Sequence, residues 1–202
     1  MDFDGATDRT DLNRAHLYRL LAALLARPPE APLLTLLAGL EGDPALPRGT
    51  GLGEALAALS RAAAGADPRG AEREYTRLFI GVQRGELVPY ASYYLTGFLQ
   101  DRPLVAVRQD MARLGIAREP GVCEPEDHAA ALLEMMAGLA DGSLGAPRGE
   151  QQGFFARHLD PWMGRLFRDL ERAEGAVLYR PVGTLGRVFI EIEAGAFALA
   201  DA

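Results

Sequence analysis

The sequence predicts an all-α protein, a globular helical bundle of roughly nine or ten helices. Three observations carry that expectation. Leu and Ala dominate a chain that is 49% apolar. Val, Ile and Thr, which suit an extended sheet, are sparse. Apolar residues recur at helical spacing between interruptions rich in Pro and Gly.

Taken in order, residues 1–9 read as a polar tail. Thr10-Asp11 can cap a helix running to about Ala26, with Leu12, Ala15/His16, Leu20 and Leu24 on one face. Arg27-Pro28-Pro29 stops it. A short helix over Pro32 to Leu40 is followed by a Gly- and Pro-containing loop, Glu41 to Gly53. A third helix covers Glu54 to Ala64. Asp67-Pro68 opens a fourth, which carries Tyr75, Leu78 and Phe79 near its end. Gly81 to Pro89 is the most loop-like internal stretch and a hinge candidate between two helical halves, although residues 1–202 are read as a single domain. Pro103 to Leu114 follows as helix, ended by Gly115.

Glu124-Pro125-Glu126-Asp127-His128 then packs three acids, a proline and one of three histidines into five residues, ahead of an amphipathic run reaching Ala140. Proline favours the first helical position and acids favour the first turn, so this segment is expected to crown a helix N-terminus. After a loop over Asp141 to Gly149, residues 150–158 and 161–173 read as helices flanking His158-Leu159-Asp160-Pro161-Trp162. Trp162 is expected to anchor the core. Pro181 opens a last helix to about Ala198, with Leu185, Val188/Phe189 and Ile192 on one face. The acid pair Glu191/Glu193 is expected on a solvated face.

Composition limits the function classes. The net charge is −7, which argues against general nucleic-acid binding and is compatible with a cationic ligand or peptide. All basic residues other than His are Arg, the side chain suited to bidentate pairing with carboxylates. Cys123 is the only cysteine, so neither an intrachain disulfide nor a cysteine metal cluster can form, which fits a reducing cytoplasm. No apolar run is long enough to span a bilayer, and the acidic start Met1-Asp2-Phe3-Asp4 does not read as a signal peptide.

The chemistry-bearing residues point to recognition more than catalysis. Glu124, Glu126, Asp127 and His128 are metal-ligand types, but helical neighbours diverge by about 100° and cannot all converge on one ion. Neither the zincin spacing nor a repeated Glu-x-x-His pair is present. A serine elbow is absent, and Gly81-Val82-Gln83-Arg84-Gly85 lacks the lysine of a phosphate loop. No metal, cofactor or catalytic residue is therefore assigned. His128, Leu132, Met135 and Leu139 share a helical face, and Glu126 and Asp127 would rim an apolar groove there. Such a groove suits an apolar peptide with a cationic end. Upstream, Val88-Pro89-Tyr90-Ala91-Ser92-Tyr93-Tyr94 adds aromatic surface.

The chain resembles the TorD/DmsD-type redox-enzyme maturation chaperones. The resemblance rests on Glu74-Tyr75-Thr76-Arg77-Leu78-Phe79, Pro89-Tyr90-Ala91-Ser92-Tyr93-Tyr94-Leu95, Glu124-Pro125-Glu126-Asp127-His128 and His158-Leu159-Asp160-Pro161-Trp162, in that order. It implies an all-helical cytoplasmic chaperone, not an enzyme. Such a protein binds the twin-arginine signal peptide, and often the apo body, of a molybdopterin oxidoreductase such as a formate dehydrogenase or a dimethyl sulfoxide or trimethylamine N-oxide reductase. It assists cofactor insertion and delays export until the client is mature. By resemblance the peptide-binding residues are Pro89, Tyr90, Asp127 and His128, with Ser92 and Glu124 matching the motifs. The chain departs from the family at Gly81-Val82-Gln83, where a Gly-Pro-Gly type loop is common, and at Val88, which replaces the first of two prolines. Two other readings stay open: a helical assembly factor that recognises a folded subunit rather than its leader, and a weak nucleotide hydrolase. A monomer and a dimer swapped through the Gly81–Pro89 hinge are both compatible with the sequence.

Overall fold

The computed structural model describes residues 9–40, 49–81, 84–118, 121, 123–147 and 149–200. The polar tail over residues 1–8, most of the loop expected between Glu41 and Gly53, and Val82-Gln83 of the hinge candidate lie outside the described residues. Among those described, the chain forms α1 (Arg9–Ala26), α2 (Ala31–Ala38), α3 (Gly51–Ala64), α4 (Pro68–Tyr75), α5 (Ala91–Thr96), α6 (Arg102–Leu114), α7 (Ala129–Ala140), α8 (Glu150–His158), α9 (Met163–Arg172) and α10 (Tyr179–Ala200). There is no strand among them, as the all-α expectation requires. None of these helices is long and apolar enough to cross a membrane.

Local capping accounts for several boundaries. The Thr50 hydroxyl accepts the Gly53 N–H at 3.1 Å, so α3 starts three residues before the expected Glu54. The Asp67 carboxylate accepts the Gly70 N–H at 2.9 Å and Pro68 sits in the first turn of α4. Gly115, at φ +69°, ends α6 where the sequence places the stop.

α7 lies at the centre. Ten of its twelve residues are buried, Glu134 alone is exposed, and the helix packs against α1. That corrects the expectation of an open groove: Leu132, Met135 and Leu139 are sealed in the core. α10 packs on α9 and on α3. The α9–α10 contact is close because Gly183 and Gly186 carry no side chain. A Cβ on Gly183 would stand 2.7 Å from the Glu171 nitrogen, and one on Gly186 would strike the Phe167 ring. Trp162 is fully buried, as expected, and its indole N–H donates to the His158 carbonyl at 2.7 Å.

Glu193 contradicts its expected place on a solvated face. It is 1% exposed and accepts from Arg14 Nε at 2.8 Å, Arg14 Nη2 at 2.7 Å and the Tyr18 hydroxyl at 2.7 Å. A buried carboxylate needs such partners, and α1 supplies them from 175–179 residues away in the chain. Glu191, two residues earlier on α10, is exposed as expected.

Candidate functional site

The two unusual segments of the sequence are laced together. The Ala129 N–H donates to the Pro89 carbonyl at 2.8 Å, and the Ala91 N–H donates to the Asp127 carbonyl at 2.9 Å. These bonds make an antiparallel bridge between Tyr90 and His128. The segment leading into α5 is thereby strapped to the start of α7.

The side chains extend the strap. One oxygen of the Asp127 carboxylate accepts the Ser92 N–H at 2.9 Å, in the first turn of α5. The Ser92 hydroxyl in turn accepts the Asp101 N–H at 3.2 Å, and the Asp101 carboxylate caps α6 through the Arg102 N–H. Asp127 thus indirectly fixes two helix starts. Its other oxygen, Oδ1, is buried without a hydrogen-bond partner.

His128 is the N-cap of α7. Its Nδ1 accepts the Ala130 N–H at 3.1 Å, which requires a ring bare at Nδ1 and protonated at Nε2. Burial lowers its pKa, against the opposing charges of Glu124 and Asp127. The Tyr90 ring meets it edge-on, with centroids 4.9 Å apart. The Tyr90 hydroxyl donates a hydrogen bond to the Glu124 carboxylate. Burial and then that bond raise the Tyr90 pKa, so the hydroxyl keeps its proton.

This geometry corrects the reading of Glu124-Pro125-Glu126-Asp127-His128 as the crown of a helix. Pro125 lies ahead of α7 and closes a turn, with its carbonyl accepting the His128 N–H at 3.1 Å. The acids therefore spread in three directions instead of sharing a first turn. Glu124 points to the surface. Glu126 is nearly buried and accepts Arg108 Nε at 2.9 Å, with Arg118 at 3.6 Å. Desolvation opposes its ionisation, yet Arg108 and Arg118 hold it below the ordinary carboxylate range. Asp127 is fully buried.

Of the six residues expected to touch a peptide, the structure gathers all at one place but exposes only two. Glu124 is exposed and Tyr90 is half-buried. Pro89 and His128 are buried, and Ser92 and Asp127 have no exposure at all. The accessible chemistry is one carboxylate beside one aromatic ring, a pairing that can hold a guanidinium by charge and by its face.

Sequence reasoning missed what Glu74-Tyr75 does. The Glu74 carboxylate accepts the N–H groups of Val177, Leu178 and Tyr179, at 2.8, 3.2 and 2.8 Å, and so caps α10 from about a hundred residues away. α10 accordingly starts at Tyr179 and not at Pro181. The Tyr75 hydroxyl donates to the Leu25 carbonyl at 3.2 Å and the Tyr179 hydroxyl to Leu24 at 2.8 Å, closing the end of α1. Thr76–Ile80 continues α4 as a π-helical turn, a distortion frequent beside functional sites. Phe79 in that turn packs on Tyr75 and Tyr179. Among the described residues, no group of three or more His, Cys, Asp or Glu side chains could hold a metal ion.

Comparison with known proteins gives this arrangement a setting. The family described as nitrate reductase delta subunit matches residues 47–168, which include the strap and the Glu74–Phe79 motif. The chain is 28% identical to the chaperone protein TorD of Vibrio cholerae over 201 residues, covering 88% of this chain and 89% of that one. It is 34% identical to the Tat proofreading chaperone DmsD of Salmonella typhi over 116 residues, 56% of this chain and 55% of that one. A crystal structure from Archaeoglobus fulgidus, provisionally described as a redox enzyme maturation protein, superposes with a TM-score of 0.62. It covers 95% of this chain and 98% of that one at 21% identity, which establishes the shared fold.

Proposed function

This chain belongs to the nitrate reductase delta subunit family, as a chaperone of the TorD/DmsD type, and on that premise we propose that it binds the twin-arginine signal peptide of a molybdopterin oxidoreductase. Binding would assist cofactor insertion and delay export until the client is mature. The observation that carries the reading is the Tyr90–Glu124 pair, presented at the surface on a strap whose every main-chain anchor is buried. Glu124 would take one guanidinium of the cationic pair and the Tyr90 ring would cover its flank. Apolar leader residues would follow the partly exposed Phe79 and the exposed Ile80 of the π-helical turn. Asp127 and His128, buried beneath, would set the position of Tyr90. The test is calorimetric titration of the purified protein with leader peptides from molybdoenzymes of its own genome, each beside a version with both arginines changed to alanine. Binding that is lost with the arginines supports the proposal. Failure of every leader to bind would overturn it.

A further inference from the structure

The cationic pair of a twin-arginine leader carries two guanidiniums, and Glu124 with Tyr90 accounts for one. A guanidinium of the chain itself already stands where the other would go. Arg118, exposed and just beyond the end of α6, donates from Nη2 to the Glu124 carbonyl at 2.8 Å. Its Nη1 lies 3.6 Å from Glu126 Oε1. A second arginine, Arg108 on α6, meets the other oxygen of the same carboxylate, with Nε and Nη2 both 2.9 Å from Oε2. The two ties differ in kind. Arg108 makes a short, two-pronged contact, whereas Arg118 stands just beyond hydrogen-bond reach of Oε1. The carboxylates of Glu124, Glu126 and Asp127 outnumber these two guanidiniums, and Asp127 Oδ1 has no hydrogen-bond partner. The segment therefore favours a further cation.

We propose that Arg118 is a built-in competitor of the leader: it fills the place of the second guanidinium, at Glu126 Oε1 and the Glu124 carbonyl, and is displaced when a twin-arginine pair binds. The identity of the displacing ligand rests on the function proposed above. An exposed ion pair such as Arg118–Glu126 is weak and yields to a better-held cation. A lone incoming arginine that takes Glu124 gains nothing by evicting Arg118, and it is repelled by the charge that stays. A pair does gain. Once its first guanidinium is on Glu124, the second is delivered to Glu126 at high effective concentration. Consecutive residues of an extended peptide advance by about 3.3 Å, so two arginine stems reach carboxylates two residues apart. Arg108, short and two-pronged on Oε2, stays in place. The competitor thus raises the threshold for singly basic peptides more than for twin-arginine ones, which is discrimination by a repulsive element.

The experiment titrates the full chain, as parent and as Arg118→Ala, with end-blocked leader peptides from the molybdoenzymes of its own genome. Each leader is used with both arginines, with only the first and with only the second. Arg118→Ala should tighten the two-arginine leader by about fivefold, the worth of one exposed ion pair, and each single-arginine version by less than about twofold. Arg102→Ala removes the same charge from another exposed arginine and should leave all three affinities as they are. Glu126→Gln added to Arg118→Ala keeps an oxygen for Arg108 and should cancel the gain. Unchanged or weaker binding of the two-arginine leader in Arg118→Ala, an equal gain for the single-arginine versions, the same gain in Arg102→Ala, or a gain that survives Glu126→Gln overturns the proposal. Arginine-dependent binding that ignores Arg118→Ala overturns the competitor and leaves the Tyr90–Glu124 reading standing. Absence of leader binding to both parent and Arg118→Ala overturns both.

Discussion

The main-chain N–H of Ser92 donates to the carboxylate of Asp127 at 2.9 Å across 35 residues of chain, and neither side chain touches solvent. This bond places Tyr90, because Ala91 is held by the Asp127 carbonyl one residue away. Substitution of Asp127 is therefore expected to act through position. Asp127→Ala leaves the Ser92 N–H unpaired and should cost about 1–3 kcal/mol of stability in urea unfolding. It should also weaken leader binding without removing any direct contact. Asp127→Asn keeps an acceptor and should recover most of both. A stable Asp127→Ala variant with unchanged affinity would remove this bond from the account.

Glu124 and Tyr90 should behave differently. Both reach the surface, so their substitution is expected to spare stability and reduce affinity. Glu124→Gln should lower leader affinity by about tenfold and flatten its salt dependence, since the lost term is charge. Tyr90→Phe should cost less, because the ring remains. Titrations at two ionic strengths decide this; an unaltered salt slope in Glu124→Gln would place the cationic pair elsewhere.

His128 should give the strap a pH dependence. Its Nδ1 must be unprotonated to accept the Ala130 N–H, and burial lowers its pKa from the ordinary 6.5. A depressed folded value means that the stabilisation is complete above about pH 6.5 and is lost as pH falls through that folded value. His128→Asn keeps a capping acceptor and does not titrate. The parent should lose stability between about pH 7 and about pH 5 more steeply than His128→Asn. His158, also lowered by burial, titrates in both proteins and cancels from the difference. Parallel curves would argue against the cap.

Glu74→Ala should strand three N–H groups at the start of α10. Loss of about 1–3 kcal/mol is expected. Thermal melting monitored by helical dichroism would read it, and Glu74→Gln, which retains an oxygen acceptor, should lie between. A melting temperature within error of the parent would mean that water caps α10 equally well.

Glu193→Ala should be the most damaging single change among these. It strands the buried Tyr18 hydroxyl and leaves the Arg14 guanidinium only Asp11 and Gln151 as partners. A buried hydroxyl left unsatisfied costs about 1–3 kcal/mol, and the weakened pairing of Arg14 adds to it. Chemical denaturation should show it, with leader affinity per folded molecule unchanged because the site is distant in the fold.

Helical spacing, capping pairs such as Asp67-Pro68 and the stop at Gly115 are local properties, so the sequence by itself determined the all-α class and most helix boundaries. It also singled out residues 89–92 and 124–128 by their unusual composition, and the structure bonds the two segments together. It could not say which of those side chains face solvent. Asp127 and Glu193 read as surface acids, yet the first is consumed by Ser92 and the second by Arg14 and Tyr18. Glu74 read only as a motif letter until α10 was set upon it. Burial of a carboxylate depends on donors brought from 35 to 179 residues away, and no local pattern encodes where those donors arrive. The short helix α5 escaped the sequence for the same reason: six residues nucleate poorly alone, and the strap from Asp127 is what holds their first turn. Only the tertiary structure decided that Tyr90 and Glu124 stand outside while Asp127 and His128 stand beneath them.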